Sequence, residues 1–147
     1  SQVKFFMSGK PVAFAVKAGG RGDITKTHVR WTSDKGLPQV PSQLVYRGLV
    51  YMLNQQGMLT ALDAKTGKEV YEEERIGVGS VYASPIAANG HIYICGMDKS
   101  VVVIKAGDSP DKASSAKLDD RIAATPAIAN HTLYVRTGSS LYAFRSK

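Results

Sequence analysis

The sequence has a single cysteine, Cys95, so no disulfide can form within the chain and a cysteine-rich metal site is excluded. Its apolar runs, such as residues 12–16 and 101–104, have the length of a β-strand and are far too short to cross a bilayer as a helix. No three basic residues stand in a row. What is present is the composition of an ordinary folded domain, with 44% hydrophobic and 21% charged residues in a chain of 147.

The positive charge of the chain is unevenly distributed. The net charge is +7, and residues 1–36 contribute seven Lys and Arg against only two acidic residues. Because these basic residues are scattered singly, the pattern favours a solvated basic surface. Electrostatic binding of nucleic acid or an anionic polysaccharide by the first segment stays open as an alternative.

An internal repeat organises the rest of the sequence. Residues 42–51 match residues 84–93 at an offset of 42, and these match residues 125–134 at an offset of 41. Each copy predicts a short strand of small apolar residues, a tight turn, an alternating strand, a second turn and a third strand. The tight turns require positive backbone φ, which Gly and Asn tolerate, and they are predicted at Arg47-Gly48, Asn89-Gly90 and Asn130-His131.

The segment ALDAKTGKEVY, residues 61–71, predicts the corner that follows a third strand. Asp63 ends that strand, and its carboxylate can accept backbone N–H groups across the turn. Gly67 supplies a left-handed residue, and Tyr71 lies on a fourth, outer strand where it can pack back onto the sheet or against a neighbour. Four strands in about 40 residues are typical of one blade of a β-propeller.

The corner also resembles a known family. The pattern Ala-x-Asp-x-x-Thr-Gly-x-x-x-Tyr is similar to the tryptophan-docking repeat of the pyrroloquinoline-quinone-like propellers, the quinoprotein-dehydrogenase-like superfamily, with Tyr in place of the final Trp. Residues 16–31 resemble an expanded form of the same corner that ends on Trp. The residues that carry the resemblance, with a structural rather than a catalytic role, are Ala61, Asp63, Thr66, Gly67, Tyr71 and Trp31.

The resemblance and the repeat together predict an all-β chain of β-propeller blades. We expect a partial blade over residues 1–36, blades over 37–78 and 79–120, and a partial blade over 121–147, with about three, four, four and three strands. Roughly three and a half blades do not close a ring, which needs at least four. We therefore expect either the C-terminal portion of a longer propeller or an open arc that another chain completes, with a homodimer as one way of closing it.

The resemblance also raises the question of a cofactor. True quinoprotein dehydrogenases hold the quinone on the propeller axis with a vicinal cysteine pair, a stacking Trp and a calcium ion. Here Cys95 stands alone, and Trp31, the single Trp, lies at a blade-docking position. His28, His91 and His131 are scattered, so turn or strand-edge positions are favoured over a metal site. We therefore predict no cofactor, no metal site and no catalytic residues.

The expected function follows from these points. We predict a non-enzymatic propeller module for protein binding or scaffolding, which by resemblance belongs to a larger exported bacterial protein of the periplasm or envelope. A fragment of a quinone-dependent oxidoreductase, whose catalytic residues lie in other blades, is the alternative. The tyrosines that recur with the blades, Tyr82 among them, are favoured as packing groups, and stacking of Tyr82 on a ligand near the axis stays open as an alternative.

Overall fold

The computed structural model describes residues 10–145, which form one helical turn and thirteen strands. The elements, in chain order, are β1 (Ala13–Val16), α1 (Thr25–His28), β2 (Val29–Ser33), β3 (Leu44–Tyr46), β4 (Leu49–Leu53), β5 (Met58–Asp63), β6 (Glu69–Arg75), β7 (Ile86–Ala88), β8 (His91–Cys95), β9 (Ser100–Lys105), β10 (Lys112–Lys117), β11 (Ala127–Ala129), β12 (Thr132–Arg136) and β13 (Leu141–Arg145).

The strands form four antiparallel sheets that follow one another along the chain. The first sheet pairs β1 with β2, the second has the order β3-β4-β5-β6, the third β7-β8-β9-β10, and the fourth β11-β12-β13. The second and third sheets are complete four-stranded blades, and their first strands, β3 and β7, contact each other. The prediction of an all-β, partial propeller is confirmed. The earliest of the three strands predicted for the first block lies outside the described residues.

The glycine-rich excursion between β1 and β2 contains a short helix in addition to the strands and turns that the sequence predicts. Residues Thr25–His28 form one helical turn. The Asp23 carboxylate accepts the Thr25 N–H at 2.9 Å, and the Ile24 carbonyl accepts the His28 N–H at 2.9 Å. The Asp23 side chain thus satisfies an amide that a helix end leaves free and stabilises this single turn in a glycine-rich loop.

The three repeated hairpin turns have the backbone geometry that the sequence predicts. The first residue of each pair has φ near +50°, and the second has φ of 82°, 78° or 59°. Two consecutive left-handed residues define the turn that matches the right-handed twist of a hairpin. Even His131 adopts this conformation, so the turn type persists in the one copy whose second position is not Gly.

The core lies between the sheets, since each propeller blade buries one face against the next. The largest cluster joins the second and third sheets, with Tyr51, Leu59, Ile92 and Ile104 fully buried in it. A smaller cluster joins the third and fourth sheets around Val135, and another joins the first and second around Met52. The two outermost sheets therefore each have one partner sheet, whereas the two middle sheets have two.

Candidate functional site: blade corners and open ends of the arc

The corner after β5 is organised by the carboxylate of Asp63. Its Oδ1 accepts the backbone N–H of Lys65 at 3.0 Å and of Thr66 at 2.8 Å, and also the Thr66 hydroxyl at 2.8 Å. These hydrogen bonds, first of all the one from the Thr66 side chain, hold the pKa of Asp63 below its usual value. Gly67 follows with φ of +70°, and its N–H returns to the Asp63 carbonyl at 2.8 Å. All these donors are used within the turn, so the corner is a structural element.

Trp31 docks on this corner from the preceding sheet. Its Nε1 donates to the carbonyl of Ala64 at 3.1 Å. A Cβ added to Gly67 would lie 2.6 Å from Cδ2 and 2.7 Å from Cγ of Trp31, so the indole rests directly on the glycine backbone. Glycine is therefore required at position 67 twice, for its positive φ and for the space that the indole fills.

Tyr71, which stands where the family pattern has Trp, lies in the cluster between the second and third sheets. It is 8% exposed, and Tyr51 beside it is fully buried. Burial raises the pKa of both phenols. Neither hydroxyl has a hydrogen-bond partner of good geometry among the described residues, although the Gly107 backbone lies near enough to Tyr51 to oppose the shift slightly. Both side chains serve as packing groups.

A second repeated contact links the blades on their inner side. The Ser42 N–H donates to Oγ of Ser84 at 2.9 Å, and the Ser84 N–H donates to Oγ1 of Thr125 at 3.0 Å. These residues hold the same position in the three repeats. Sequence analysis did not identify this contact. The recurrence of Ser or Thr at offsets of 42 and 41 is the signal that could have revealed it.

The first end of the arc exposes apolar side chains. Phe14 is 58% exposed, and Val12 and Val16 are close to half exposed. Between the first and second sheets lies an apolar cavity of about 460 Å³, whose lining includes Phe14, Trp31, Val45 and Met52. Val45, in the middle of β3, is 66% exposed, whereas the equivalent Ala87 of β7 is partly buried against the preceding sheet.

The last end of the arc exposes apolar side chains on both faces of β13. Leu141 is 71% exposed and Phe144 is 44% exposed, and the ring of Phe144 stacks on Tyr142 at 5.7 Å between centroids. Tyr134, on the adjacent β12, is 36% exposed. The equivalent positions of the second sheet, Tyr51 and Leu59, are fully buried, so this face is built like one that another blade covers.

The residues considered for chemistry do not come together. Within residues 10–145, no group of three or more His, Cys, Asp or Glu side chains has the arrangement of a metal site. Cys95 is buried in the cluster between the third and fourth sheets, and burial raises the pKa of its thiol to about 12. His131 sits in a hairpin turn, and His91 begins β8 with its Nδ1 at 2.9 Å from the Asn89 carbonyl oxygen. Tyr82 is 45% exposed in the loop before β7.

The class of protein is a pyrroloquinoline-quinone-like β-propeller repeat protein, as indicated by the two four-stranded sheets, the corner on which Trp31 docks and the inner row of hydrogen bonds. The model of the family described as outer membrane protein assembly factor BamB matches residues 16–147, and the chain belongs to that family. No curated protein sequence matches the chain. No helix within the described part of the chain is long and apolar enough to span a membrane.

Solved structures with the same fold include BamB from Moraxella catarrhalis, with a TM-score of 0.65 and 21% identity over 79% of this chain. A europium-containing methanol dehydrogenase matches at a TM-score of 0.52, with 16% identity over 72% of the chain. Quinohemoprotein alcohol dehydrogenase from Comamonas testosteroni matches at 0.55, with 13% identity over 67%. The chain spans 36% of the length of the BamB structure, 21% of the methanol dehydrogenase and 17% of the alcohol dehydrogenase. At these identities the likeness is one of fold alone.

Proposed function

We propose that this chain is a non-enzymatic β-propeller module that binds protein and serves as a scaffold within a larger exported bacterial protein. The observation that carries the proposal is the match of residues 16–147 to a family described as an outer membrane protein assembly factor, and the described residues add exposed apolar side chains such as Leu141 at 71% and Phe14 at 58%. Exposed contiguous apolar surface on a rigid scaffold is typical of protein interaction sites. Membership in a family described as an outer membrane protein assembly factor supports both a binding role and a periplasmic or envelope location.

The rigidity of the middle of the arc supports a scaffolding role. Two complete blades share a closed core, and Trp31 and the Ser42–Ser84–Thr125 row fix the position of each sheet relative to the next. Binding surfaces placed on such a frame lose little conformational freedom when a partner docks. The ends of the arc therefore act as preorganised surfaces.

Site-specific photocrosslinking in the native compartment tests the binding role. A benzophenone amino acid at Leu141 of the parent protein should give discrete crosslinked products, whereas the same group at Lys68, an exposed corner position, should give none. The products are identified by mass spectrometry. Equal, diffuse crosslinking from both positions, or none from either, would overturn the proposal.

One partner that the arc offers is a second copy of itself, which closes the ring. Such a dimer would bury the exposed apolar side chains at the two ends of the arc, which are Phe14 and Val16 at one end and Leu141 at the other. Light scattering coupled to size-exclusion chromatography, over a wide range of concentration, should then show a discrete dimer. Leu141→Lys should return the chain to a monomer, whereas Val45→Lys at the inner strand should disturb the dimer less. A wild-type chain that stays monomeric throughout, or an aggregate that grows without a defined mass, contradicts the homodimer.

The non-enzymatic assignment has its own test. A quinone-dependent oxidoreductase would be stabilised by its cofactor, because a ligand that binds only the folded state raises the melting temperature. We expect pyrroloquinoline quinone with calcium to leave the melting temperature of the parent protein unchanged. A melting temperature that rises with ligand concentration, and only when both the quinone and calcium are present, would contradict the non-enzymatic assignment and favour the oxidoreductase.

A further inference from the structure

A tyrosine side chain fills part of the interface between the second and third sheets. Tyr46, the last residue of β3, packs against the cluster between these sheets. Its hydroxyl oxygen accepts the backbone N–H of Gly90, in the β7–β8 turn, at 2.9 Å. The guanidinium carbon of Arg47 lies over the Tyr46 ring, 5.5 Å from the ring centroid. The phenol therefore bridges two neighbouring hairpin turns, one from each sheet.

The next interface, between the third and fourth sheets, lacks this tyrosine. Ala88 is the equivalent of Tyr46, since each is the last residue of the first strand of its sheet. His131 is the equivalent of Gly90 as the second residue of a hairpin turn, with φ of 59° against 78°. None of the described residues accepts the His131 N–H, whereas the Tyr46 hydroxyl accepts the Gly90 N–H. The repeat thus keeps the donor and omits the phenol.

A cavity of about 360 Å³ lies where the tyrosine is missing. Its lining includes Ala88, Asn89, Tyr93, Ile128, His131 and Leu133. Ile128 is larger than its counterpart Ala87, yet it does not close the cavity and is itself 38% exposed. Tyr93 is also partly exposed, whereas its counterpart Tyr51 is fully buried. The volume is in the range of clefts that bind small organic groups.

Polar groups stand at the exposed rim of the cavity, and apolar groups lie deeper. Asn89 and His131 are both exposed, whereas Leu133 is partly buried against the core. In the preceding interface the rim is covered, because a Cβ added to Gly90 would lie 3.0 Å from Nη1 of Arg47. The shorter Asn89 replaces Arg47 at the open rim. A fitting ligand therefore has an aromatic ring with one hydroxyl, and its remaining polar part stays at the rim.

We propose that this cavity binds the tyrosine side chain of a partner protein, with the ring in the place that Tyr46 takes in the preceding interface and its hydroxyl oxygen accepting the His131 N–H. The inference rests on the proposed protein-binding function and names a side chain that the partner supplies. A tyrosine brings a large, rigid contact area and a single polar atom, and it is a frequent anchor of protein interfaces. The exposed rim accommodates the partner's main chain.

The free molecule p-cresol, which has the structure of the tyrosine side chain, is the probe of the cavity, and toluene is its counterpart without the hydroxyl. Two-dimensional NMR of the isotope-labelled parent protein should show that p-cresol shifts the signals of residues 88–93 and 128–133. The hydrogen bond to the hydroxyl should make p-cresol bind about three- to tenfold more tightly than toluene. Equal binding of the two compounds, shifts confined to other residues, or no shifts would overturn the proposal.

Ala88→Tyr supplies the missing ring from within the chain. It should abolish binding of p-cresol and raise the melting temperature, because the new side chain fills an existing cavity. Ala18→Tyr, the same change at an exposed position of the first sheet's excursion, should alter neither. Binding that survives Ala88→Tyr, or that Ala18→Tyr also abolishes, would count against the site.

Tyr46→Ala gives an independent test that does not need the Ala88→Tyr variant to fold. It removes the ring that bridges the second and third sheets, so p-cresol should gain a second site and shift the Gly90 amide signal. The wild-type protein should show no such shift at Gly90. If Tyr46→Ala folds and p-cresol leaves its Gly90 signal unchanged, the two interfaces are not equivalent and the proposal fails.

Photocrosslinking identifies the source of the phenol. A benzophenone amino acid is placed at Asn89 of the parent protein in its native compartment, where the equivalent Arg47 shows that a large side chain tolerates the same left-handed backbone. It should crosslink to a protein segment that contains a tyrosine, and Ala88→Tyr should abolish the product.

The other outcomes of this crosslinking experiment contradict the proposal. A product that persists in Ala88→Tyr, or whose segment has no tyrosine, would exclude a bound tyrosine side chain. Binding of p-cresol without any product from Asn89 would mean that a free phenolic compound occupies the cavity, and would overturn the protein partner at this site. In each of these cases, discrete crosslinks from Leu141 would still support the proposed function.

Discussion

Replacement of Gly67 by Ala should destabilise the protein for two separate reasons. The φ of +70° is costly for any residue with a Cβ, by about 1 kcal/mol or somewhat more. The new methyl group would also lie 2.6 Å from Cδ2 of Trp31, closer than Cβ atoms approach other carbon atoms. The indole must then shift and lose its 3.1 Å hydrogen bond to the Ala64 carbonyl, at a further cost of about 1 kcal/mol. We therefore expect a total loss of about 2–3 kcal/mol.

Gly48→Ala is the matched control because it isolates the backbone contribution. Gly48 has φ of +82°, and a Cβ added there would meet no atom within 4 Å. Its substitution should cost about 1 kcal/mol, from the left-handed conformation alone. The difference between the two variants measures the contribution of the docked indole to stability.

Urea unfolding followed by fluorescence gives both quantities in one experiment, since Trp31 is the single tryptophan of the chain. The midpoint should fall further for Gly67→Ala than for Gly48→Ala, and only Gly67→Ala should change the emission maximum of the folded state. If the two variants have equal midpoints and the same native emission, the indole does not depend on the glycine surface. Docking of Trp31 would then contribute nothing to the stability of the corner, contrary to the reasoning above.

Three further predictions concern single groups. Cys95 is 1% exposed, and burial raises the pKa of its thiol to about 12. In the native protein it should therefore react with a disulfide reagent only as fast as the protein unfolds, whereas in guanidinium it should react at once. Rapid labelling of the native protein would contradict its burial. The hydrogen bond from the Thr66 hydroxyl is the main cause of the lowered pKa of Asp63 in the folded protein. The Asp63 carboxylate therefore stabilises the fold at a pH above its pKa in the unfolded chain, about 3.9, and this stabilisation is lost as the pH falls through its lower pKa in the folded chain. Asp63→Asn should therefore flatten the acid side of a melting-temperature profile, and an unchanged slope would refute the link. Ser84→Ala removes the hydroxyl that accepts an amide of the preceding blade and should cost about 0.5–1.5 kcal/mol in urea unfolding. Ser109→Ala, at an exposed loop position, should cost nothing measurable, and equal losses would count against the inner row.

Much of the fold could be predicted because the repeat carries local chemistry that admits few structures. A pair such as Asn89-Gly90 between two apolar strands has one common solution, a hairpin turn with two left-handed residues, and the structure has that turn. The acceptor role of Asp63 and the left-handed conformation of Gly67 also follow from properties of single residues. These contacts span a few positions, so periodicity and turn chemistry suffice.

The contacts that sequence analysis missed join residues far apart in the chain. The hydrogen bond from Ser42 to Ser84 spans 42 residues, and nothing in the local sequence distinguishes it from an ordinary polar strand end. The turn of helix after Asp23 is a local exception, in which the Asp23 carboxylate accepts the Thr25 N–H and the Ile24 carbonyl accepts the His28 N–H within a glycine-rich loop. The exposure of Leu141 could not be predicted for a different reason. Alternation of apolar residues identifies Leu141 as a strand residue, but only the positions of the neighbouring sheets show that its side chain stays exposed among the described residues.

The distribution of burial has a consequence for where binding can occur. In a repeat protein, each sheet gains most of its stability from the two neighbours that cover its faces. Four of the six residues of β5 are buried, whereas β13, the equivalent third strand of the last sheet, has none that is buried. The middle of the arc therefore has little apolar surface left to offer a partner. Among the described residues, the two end sheets keep exposed apolar side chains, Phe14 and Leu141 among them. A protein bound there, as the proposed function has it, would be held by the same kind of side-chain packing that joins neighbouring blades.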